Sequence, residues 1–274
     1  MKKLLTGVLA LTLCLGVAGC GKSDEKKDDN TITIGCTTAP HGVILKHVKD
    51  DLKEAGYELK IKEFADYQVI NDALADGSLD ANFFQHQPYL DGFNEDKGQD
   101  LVSVGSIHFE PLGIYADDPK GKTTLIVDDF ADGDKIAVPN DATNEARALL
   151  LLEKSGVITL KKDAGVKATK LDIETYHKKI EITELDAAKI PSSLPDVKYA
   201  IVNGNFALDS KITDKCILTE DKDDVAAKTY ANVIAVKKGD KDNKGIKALV
   251  KILKSDKTKE FINKEFKGIV VPAK

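Results

Sequence analysis

The chain has 274 residues, 31% of them charged and 42% hydrophobic, with few aromatics and a net charge of −5. That length supports one large or two medium domains with proper cores. The acidic balance, with no basic run interleaved with aromatics, argues against nucleic acid as a partner. The basic residues are lopsided, with 39 Lys and a single Arg, Arg147.

Residues 1–19 read as an export signal. Lys2 and Lys3 form its charged start, and Leu4 to Val17 form an apolar stretch too short for an ordinary membrane span. Val17-Ala18-Gly19-Cys20 resembles the bacterial lipobox, which implies cleavage before Cys20 and lipidation of its sulfur. Residues 20–30 then read as the lipidated cysteine and a solvated tether, because Gly21 to Asn30 can bury nothing. After processing, Cys36 and Cys216 remain, and they are expected as buried thiols in different lobes rather than as a disulfide.

Thr31 to Thr37 alternates and predicts the first strand. A helix carrying Val43, Ile44, His47, Val48 and Leu52 follows, stopped by Gly56. His41 and His47 do not share a helix face, so no metal pair is expected from them. Tyr57 to Phe64 predicts a second strand. Asp66 can cap a helix with Val69, Ile70, Ala73 and Leu74 on its apolar face and Gly77 as its stop. Leu79 to Phe84 predicts a third strand, and Pro88 suits the first turn of a helix running through Tyr89, Leu90 and Phe93. Phe84, Gln85 and His86 then fall in the loop leaving a strand's carboxyl end, where open α/β sheets bind ligands. Tyr67 faces the same crevice if the strands are neighbours.

Leu101–Val104 and Ile107–Tyr115 are extended and broken by Pro111, which reads as the crossing from a first lobe into a second. Lys135 to Asn140 predicts a strand, and Asp141 opens a helix closed by Gly156 whose four leucines mark it as buried on much of its surface. Ile180–Leu185, Tyr199–Asn203 and Ala231–Val236 predict further strands. Helices over 244–253 and 257–266 are expected to fold back on the first lobe. The alternation of strands and helices predicts a mostly parallel α/β sheet in each lobe.

Asn140 to Asn144 followed by Arg147 forms a second cluster, at a helix N-terminus after a strand, where an anion is favoured. Arg presents a planar fork that matches a carboxylate and that Lys cannot imitate. The plainer reading pairs Arg147 with Glu145 or Asp141 on a solvated face. Asn203 and Asn232 stand at strand ends, with amides suited to an α-amino or α-carboxylate group.

Asp80-Ala-Asn-Phe-Phe-Gln-His-Gln-Pro-Tyr-Leu90, Val138-Pro-Asn-Asp-Ala-Thr-Asn-Glu-Ala-Arg-Ala-Leu-Leu-Leu-Leu152 and the lipobox together resemble the NlpA family of substrate-binding lipoproteins, the methionine-binding components of ABC importers. The resemblance covers essentially the whole mature chain. It implies a type II periplasmic-binding-protein fold, two α/β lobes joined by a two-strand hinge with the ligand in the cleft. The lobes are expected over 31–111 plus 240–274 and over 112–239. Tyr67, Phe84, His86 and Tyr89 would flank a thioether side chain, while Asn144, Arg147, Asn203 and Asn232 would hold the carboxylate and amine. Ala142 stands where many relatives carry proline.

The implied partners are L-methionine or a related small ligand, an ABC permease and through it an ATPase, and the membrane by way of the lipid at Cys20. A monomer on the extracytoplasmic face is expected, with no cofactor, no metal and no catalytic residue. The same family also contains members for other ligands, including a methionine-containing dipeptide. A secreted hydrolase would need an activated Ser or Cys near a His, or a metal set, and the five His are scattered with no Gly-x-Ser-x-Gly and no Cys-x-x-Cys. A surface adhesin using the fold only as a contact surface is the third reading.

Overall fold

The computed structural model describes residues 30–222 and 225–273. The export segment, the lipobox and nearly all of the tether lie outside them. The first lobe opens with β1 (Thr31–Cys36), α1 (Val43–Glu54), β2 (Glu58–Glu63), α2 (Ile70–Ala75), β3 (Ala81–His86), α3 (Gln87–Lys97) and β4 (Leu101–Phe109). The second contains β5 (Gly113–Tyr115), β6 (Lys135–Pro139), α4 (Ala142–Lys154), β7 (Ile158–Leu160), β8 (Ile173–Tyr176), β9 (Glu181–Leu185), α5 (Ile190–Ser193), β10 (Tyr199–Val202), α6 (Gly204–Asp209) and β11 (Cys216–Thr219). The chain returns through α7 (Val225–Thr229) to β12 (Ala231–Lys237), α8 (Lys244–Leu253), α9 (Asp256–Phe266) and β13 (Val271–Pro272).

Two principal sheets result, ordered β13-β4-β12-β3-β1-β2 and β11-β5-β10-β6-β9, with β7 and β8 as a separate antiparallel pair. The expectation of mostly parallel sheets is corrected. Only β2-β1-β3 and β9-β6-β10 run parallel, and the strands next to the interlobe crossings, β4, β12 and β5, pair antiparallel. A strand that enters the other lobe or returns from it meets its neighbour head to tail, without the helical crossover that parallel pairing needs.

The second lobe's boundary also moves. β12 hydrogen-bonds to β3 and β4, so residues 231–237 belong to the first sheet and not to the unit expected over 112–239. Six consecutive residues of β12 are buried, a run that suits a central strand covered on both faces. The two lobes are therefore connected by residues 110–112 and by residues 220–230. Cys36 lies in one sheet and Cys216 in the other, and both are free thiols. Burial pushes the Cys36 thiol up to about 12, which makes it unreactive.

α8 and α9 pack on the first sheet as expected, placing Ile246, Leu249, Leu253, Ile262 and Phe266 in its core. α4 buries Leu149, Leu151 and Leu152 in the second core, with Leu150 half-buried. Among the described residues no helix is long and apolar enough to cross a membrane.

β3 departs from its expected span in a way that matters for the cleft. Its pairing with β12 continues to His86, so Phe84, Gln85 and His86 are strand residues rather than loop residues. The register passes from Gln85 directly to Phe83, leaving Phe84 as the extra residue of a bulge. The bulge lets Asn82 and Gln85 face the same neighbour, Asn71 of α2, in a closed set of amide hydrogen bonds of 2.7–2.9 Å. α2 itself starts at Ile70 and not at Asp66. Asp66 accepts from the Gln68 N–H in a tight turn, and Val69 is half exposed instead of lying on the apolar face.

Asn71→Ala is expected to leave Gln85 Oε1 and Asn82 Nδ2 unpaired in the core. Each such group costs about 1–3 kcal/mol, so the urea midpoint should fall clearly. A midpoint within error of wild type would show that the amide cluster does not hold β3.

Candidate ligand-binding site

All eight residues singled out in the sequence line one cavity between the lobes: Tyr67, Phe84, His86, Tyr89, Asn144, Arg147, Asn203 and Asn232. Gln85, Glu110, Gly204 and Asn205 complete its wall. The first lobe supplies Tyr67 before α2, Phe84 and His86 from β3, Tyr89 from α3 and, contrary to the expected lobe boundary, Asn232 from β12. The second supplies Asn144 and Arg147 from α4 and Asn203, Gly204 and Asn205 from the start of α6.

At one end donors outnumber acceptors. Asn144 Oδ1 accepts from His86 Nε2 at 3.2 Å, Arg147 Nη1 at 3.1 Å and Asn203 Nδ2 at 3.0 Å. An amide oxygen has two lone pairs, so three donors converge on one oversubscribed acceptor. The orientation of Asn144 is set from below, because its Nδ2 donates to both carboxylate oxygens of Asp141. Asp141 also caps α4 by accepting from the Asn144 N–H at 3.0 Å. The helix N-terminus thus meets the chain's own carboxylate, which corrects the expectation that its free N–H groups await an anion.

Arg147 is not on a solvated face. It is 3% exposed, and its partner is neither Glu145 nor Asp141. Nε donates to Glu220 Oε1 at 3.0 Å and Nη2 to Glu220 Oε2 at 2.5 Å, while Nη2 also reaches the Glu110 carbonyl at 3.0 Å. The guanidinium lies 4.5 Å over the Tyr230 ring. The bidentate fork read from the sequence exists, but Glu220 occupies it, and only the Nη1 corner turns toward the cavity.

At the other end acceptors dominate. Glu110, 6% exposed, accepts from His108 Nε2 at 2.7 Å, the Asn205 backbone N–H also bonds it, and His41 Nε2 lies 3.3 Å away. His41 Nε2 faces a second oxygen, Asn232 Oδ1, at 3.1 Å, so it carries the proton, and its Nδ1 accepts from Thr37 Oγ1 at 2.7 Å. His41, His108 and Glu110 bring three metal-ligating side chains within 4.8 Å. The His108 Nε2–H points at the carboxylate and the His41 Nε2–H at Asn232 Oδ1, so both neutral rings present an N–H there and not a lone pair. A metal would need both nitrogen lone pairs turned to a common point.

Burial holds all three imidazoles down, His41 to about 4 and His86 and His108 to about 3, with the Arg147 charge adding to the effect at His86. Burial pushes the Glu110 carboxyl up, and His41 and Arg147 pull it back.

Asn203 Oδ1 and Asn205 Nδ2 are buried and have no partner among the described residues. One is an acceptor and one a donor, which suits a ligand carrying both kinds of group. Tyr67, Phe84 and Tyr89 also line the cavity, with ring centroids 5.6–5.9 Å apart, and Phe206 of α6 lies 4.8 Å from Tyr67. Tyr67 Oη donates to Asn205 Oδ1 across the cleft.

Sequence reasoning missed Glu110, Gly204, Asn205 and Glu220. Their faint signals are an acid inside the apolar run His108-Phe-Glu-Pro-Leu112 and a second amide in Asn203-Gly-Asn205. Gly204 is needed for close approach, since a Cβ there would stand 3.0 Å from Glu110 Cβ.

Two mixed α/β lobes joined by two crossings, with an amphipathic cavity between them, define the class of two-lobed extracytoplasmic substrate-binding proteins. Within that class the chain belongs to the NlpA lipoprotein family, whose model matches residues 32–274. A curated relative, the methionine-binding lipoprotein MetQ of Bacillus subtilis (strain 168), is 38% identical over 99% of this chain and 99% of its own length. Among solved structures, a nutrient-binding protein of Burkholderia cenocepacia bound to methionine is 43% identical with a TM-score of 0.81, covering 89% of this chain and 100% of that one. A lipoprotein of Ruminococcus gnavus is 46% identical with a TM-score of 0.84, over 89% of this chain and 100% of that one.

The depressed imidazoles give a signed pH dependence. Unfolded histidines titrate near 6.5, so below that pH the unfolded chain binds protons that the folded chain refuses. The stability these groups confer is present above about pH 6.5 and is lost as pH falls toward 4, by up to about 1.4 kcal/mol per pH unit for each histidine. Glu110, with its raised carboxyl, opposes this above about pH 4.5 and reduces the slope. The urea midpoint should drop between pH 7 and pH 5, and His108→Gln should flatten that drop. A level or rising midpoint would contradict neutral imidazoles.

Proposed function

We propose that the chain is an extracytoplasmic lipoprotein that captures methionine between its lobes and delivers it to an ABC importer. The carrying observation is that one cavity brings together a donor-rich set of side chains, an acceptor-rich set and an aromatic wall. An α-amino acid carries a carboxylate and an ammonium on one carbon, and that pair answers both polar ends at once.

In this reading Asn203 Nδ2 and His86 Nε2 turn from the crowded Asn144 oxygen to the ligand carboxylate, which also meets the fixed Nη1 corner of Arg147. Glu110, Asn232 and Asn203 Oδ1 receive the ammonium. Tyr67, Phe84, His86 and Tyr89 flank the side chain, where a thioether gains sulfur–aromatic contacts that a branched hydrocarbon lacks. The protein acts as a monomer held to the membrane by lipid on Cys20, and passes its ligand to a permease driven by an ATPase.

Two measurements test this. A ligand that binds only the folded state adds about 4 kcal/mol at a thousandfold excess over Kd, so methionine should raise the melting temperature of ligand-stripped protein well above any effect of leucine or glutamine. Equal responses to all three would sink the methionine reading. For the anchor, Cys20→Ser should release protein from the membrane fraction, and unchanged retention with an unaltered precursor mass would rule out lipidation at Cys20.

A further inference from the structure

Glu220 belongs to neither polar end of the cavity, yet it makes the closest ion pair in the site. Its two carboxylate oxygens grip Arg147 along the Nε–Nη2 edge, at 3.0 and 2.5 Å. Oε2 also accepts from the Leu112 N–H at 2.8 Å. Leu112 lies in one interlobe connection and Glu220 begins the other, directly after β11. A third bond in the same place runs from Arg147 Nη2 to the Glu110 carbonyl, again in the first connection. One carboxylate thus ties the second lobe's guanidinium to both segments whose backbone must change when the lobes rotate.

A guanidinium has five N–H donors in a fixed plane. With Nε and Nη2 committed, the group can neither rotate about its long axis nor slide, and Nη1 is the only part left to face the cavity, where it meets Asn144 Oδ1 at 3.1 Å. The geometry points to Glu220 as a positioning residue for ligand capture. It fixes which corner of Arg147 meets the ligand's carboxylate and couples that contact to the hinge, without touching the ligand itself. This rests on the reading of the cavity as an amino-acid site.

Glu220→Gln keeps the shape but places an amide N–H₂ against a donor whichever way it turns, because both carboxylate oxygens accept from N–H groups. The variant should bind methionine at least tenfold more weakly. Binding of methioninol, the alcohol analogue that lacks the carboxylate, should be reduced far less. Equal fold-losses for the two compounds would make Glu220 a general structural support and overturn the proposal, as would unaltered methionine affinity.

Arg147 is the only arginine in the chain, so ¹⁵N-labelled protein gives one arginine Nε–Hε resonance. That signal should exchange slowly with water in the wild type, remain slow when methionine is added, and exchange faster in Glu220→Gln. Fast exchange in the wild type, or release on adding methionine, would show that Glu220 does not hold the edge and would overturn the proposal without any affinity measurement. A wild-type protein indifferent to methionine would instead overturn the functional reading, while the resonance would still decide whether Glu220 fixes Arg147.

Discussion

A guanidinium cannot shed its proton in a protein interior, so burying one obliges the fold to surround it with acceptors. Arg147 at 3% exposure is that obligation, and much of the cleft can be understood as its answer. Glu220 supplies the counter-charge, the Glu110 carbonyl a neutral acceptor, Asn144 a second and the Tyr230 ring a polarisable face. These come from both interlobe connections, from the helix that carries Arg147 and from the residue preceding β12. The place where the chain passes between lobes is thereby the place where the buried cation is neutralised. A substitution such as Arg147→Ala would remove a ligand contact and also leave Glu220 without its partner. Breaking a buried pair on one side generally costs about 3–5 kcal/mol, so loss of binding in that variant would not isolate recognition from folding.

The second buried charge is treated differently. Among the described residues no lysine or arginine forms an ion pair with the Glu110 carboxylate. It is held instead by the neutral His108 imidazole and a backbone N–H, with the neutral His41 ring 3.3 Å away. Neutral donors stabilise an anion without cancelling its charge, so its field remains available to a cation arriving in the cleft. The site therefore presents one paired charge and one unpaired charge. A zwitterion brings the missing cation to Glu110 and an anion to the remaining Arg147 corner, and both charges are then compensated with little rearrangement. A ligand lacking the ammonium would leave Glu110 buried and uncompensated, which is discrimination by the cost of the wrong partner.

Strand and helix order and the eight cavity residues were legible because each rests on a local pattern: alternation, a cap, a strand-end amide, a solitary Arg. What was not legible depends on tertiary pairing. An apolar run such as Ala231–Val236 fits the middle of either sheet, and only its hydrogen bonds to β3 and β4 assign it to the first lobe. The Phe84 bulge is likewise a property of two strands together. Glu110 and Glu220 were hidden among 45 acidic residues. Nothing in composition separates a carboxylate that will be buried from one that will face water. Arg147 stood out by being alone of its kind, but the identity of its partner did not follow from that.

The lobes already touch through His86–Asn144, Tyr67–Asn205 and the Ala39 N–H to Asp209, so the cleft's own polar groups satisfy one another in part. Those bonds lower the cost of bringing the lobes together without ligand, and they also compete with ligand for the same donors. Binding free energy is the difference between the two sets of contacts, not the sum of the new ones. The competition is weakest where the internal set is poorest, at the overcrowded Asn144 oxygen and at the unpartnered Asn203 and Asn205 atoms. A ligand that takes donors from Asn144 relieves crowding, and one that meets Asn203 Oδ1 and Asn205 Nδ2 supplies partners that these buried atoms do not find among the described residues. Selectivity for the amino-acid head group then resides in what the protein leaves imperfectly satisfied, while the aromatic wall of Tyr67, Phe84 and Tyr89 is left to choose among side chains.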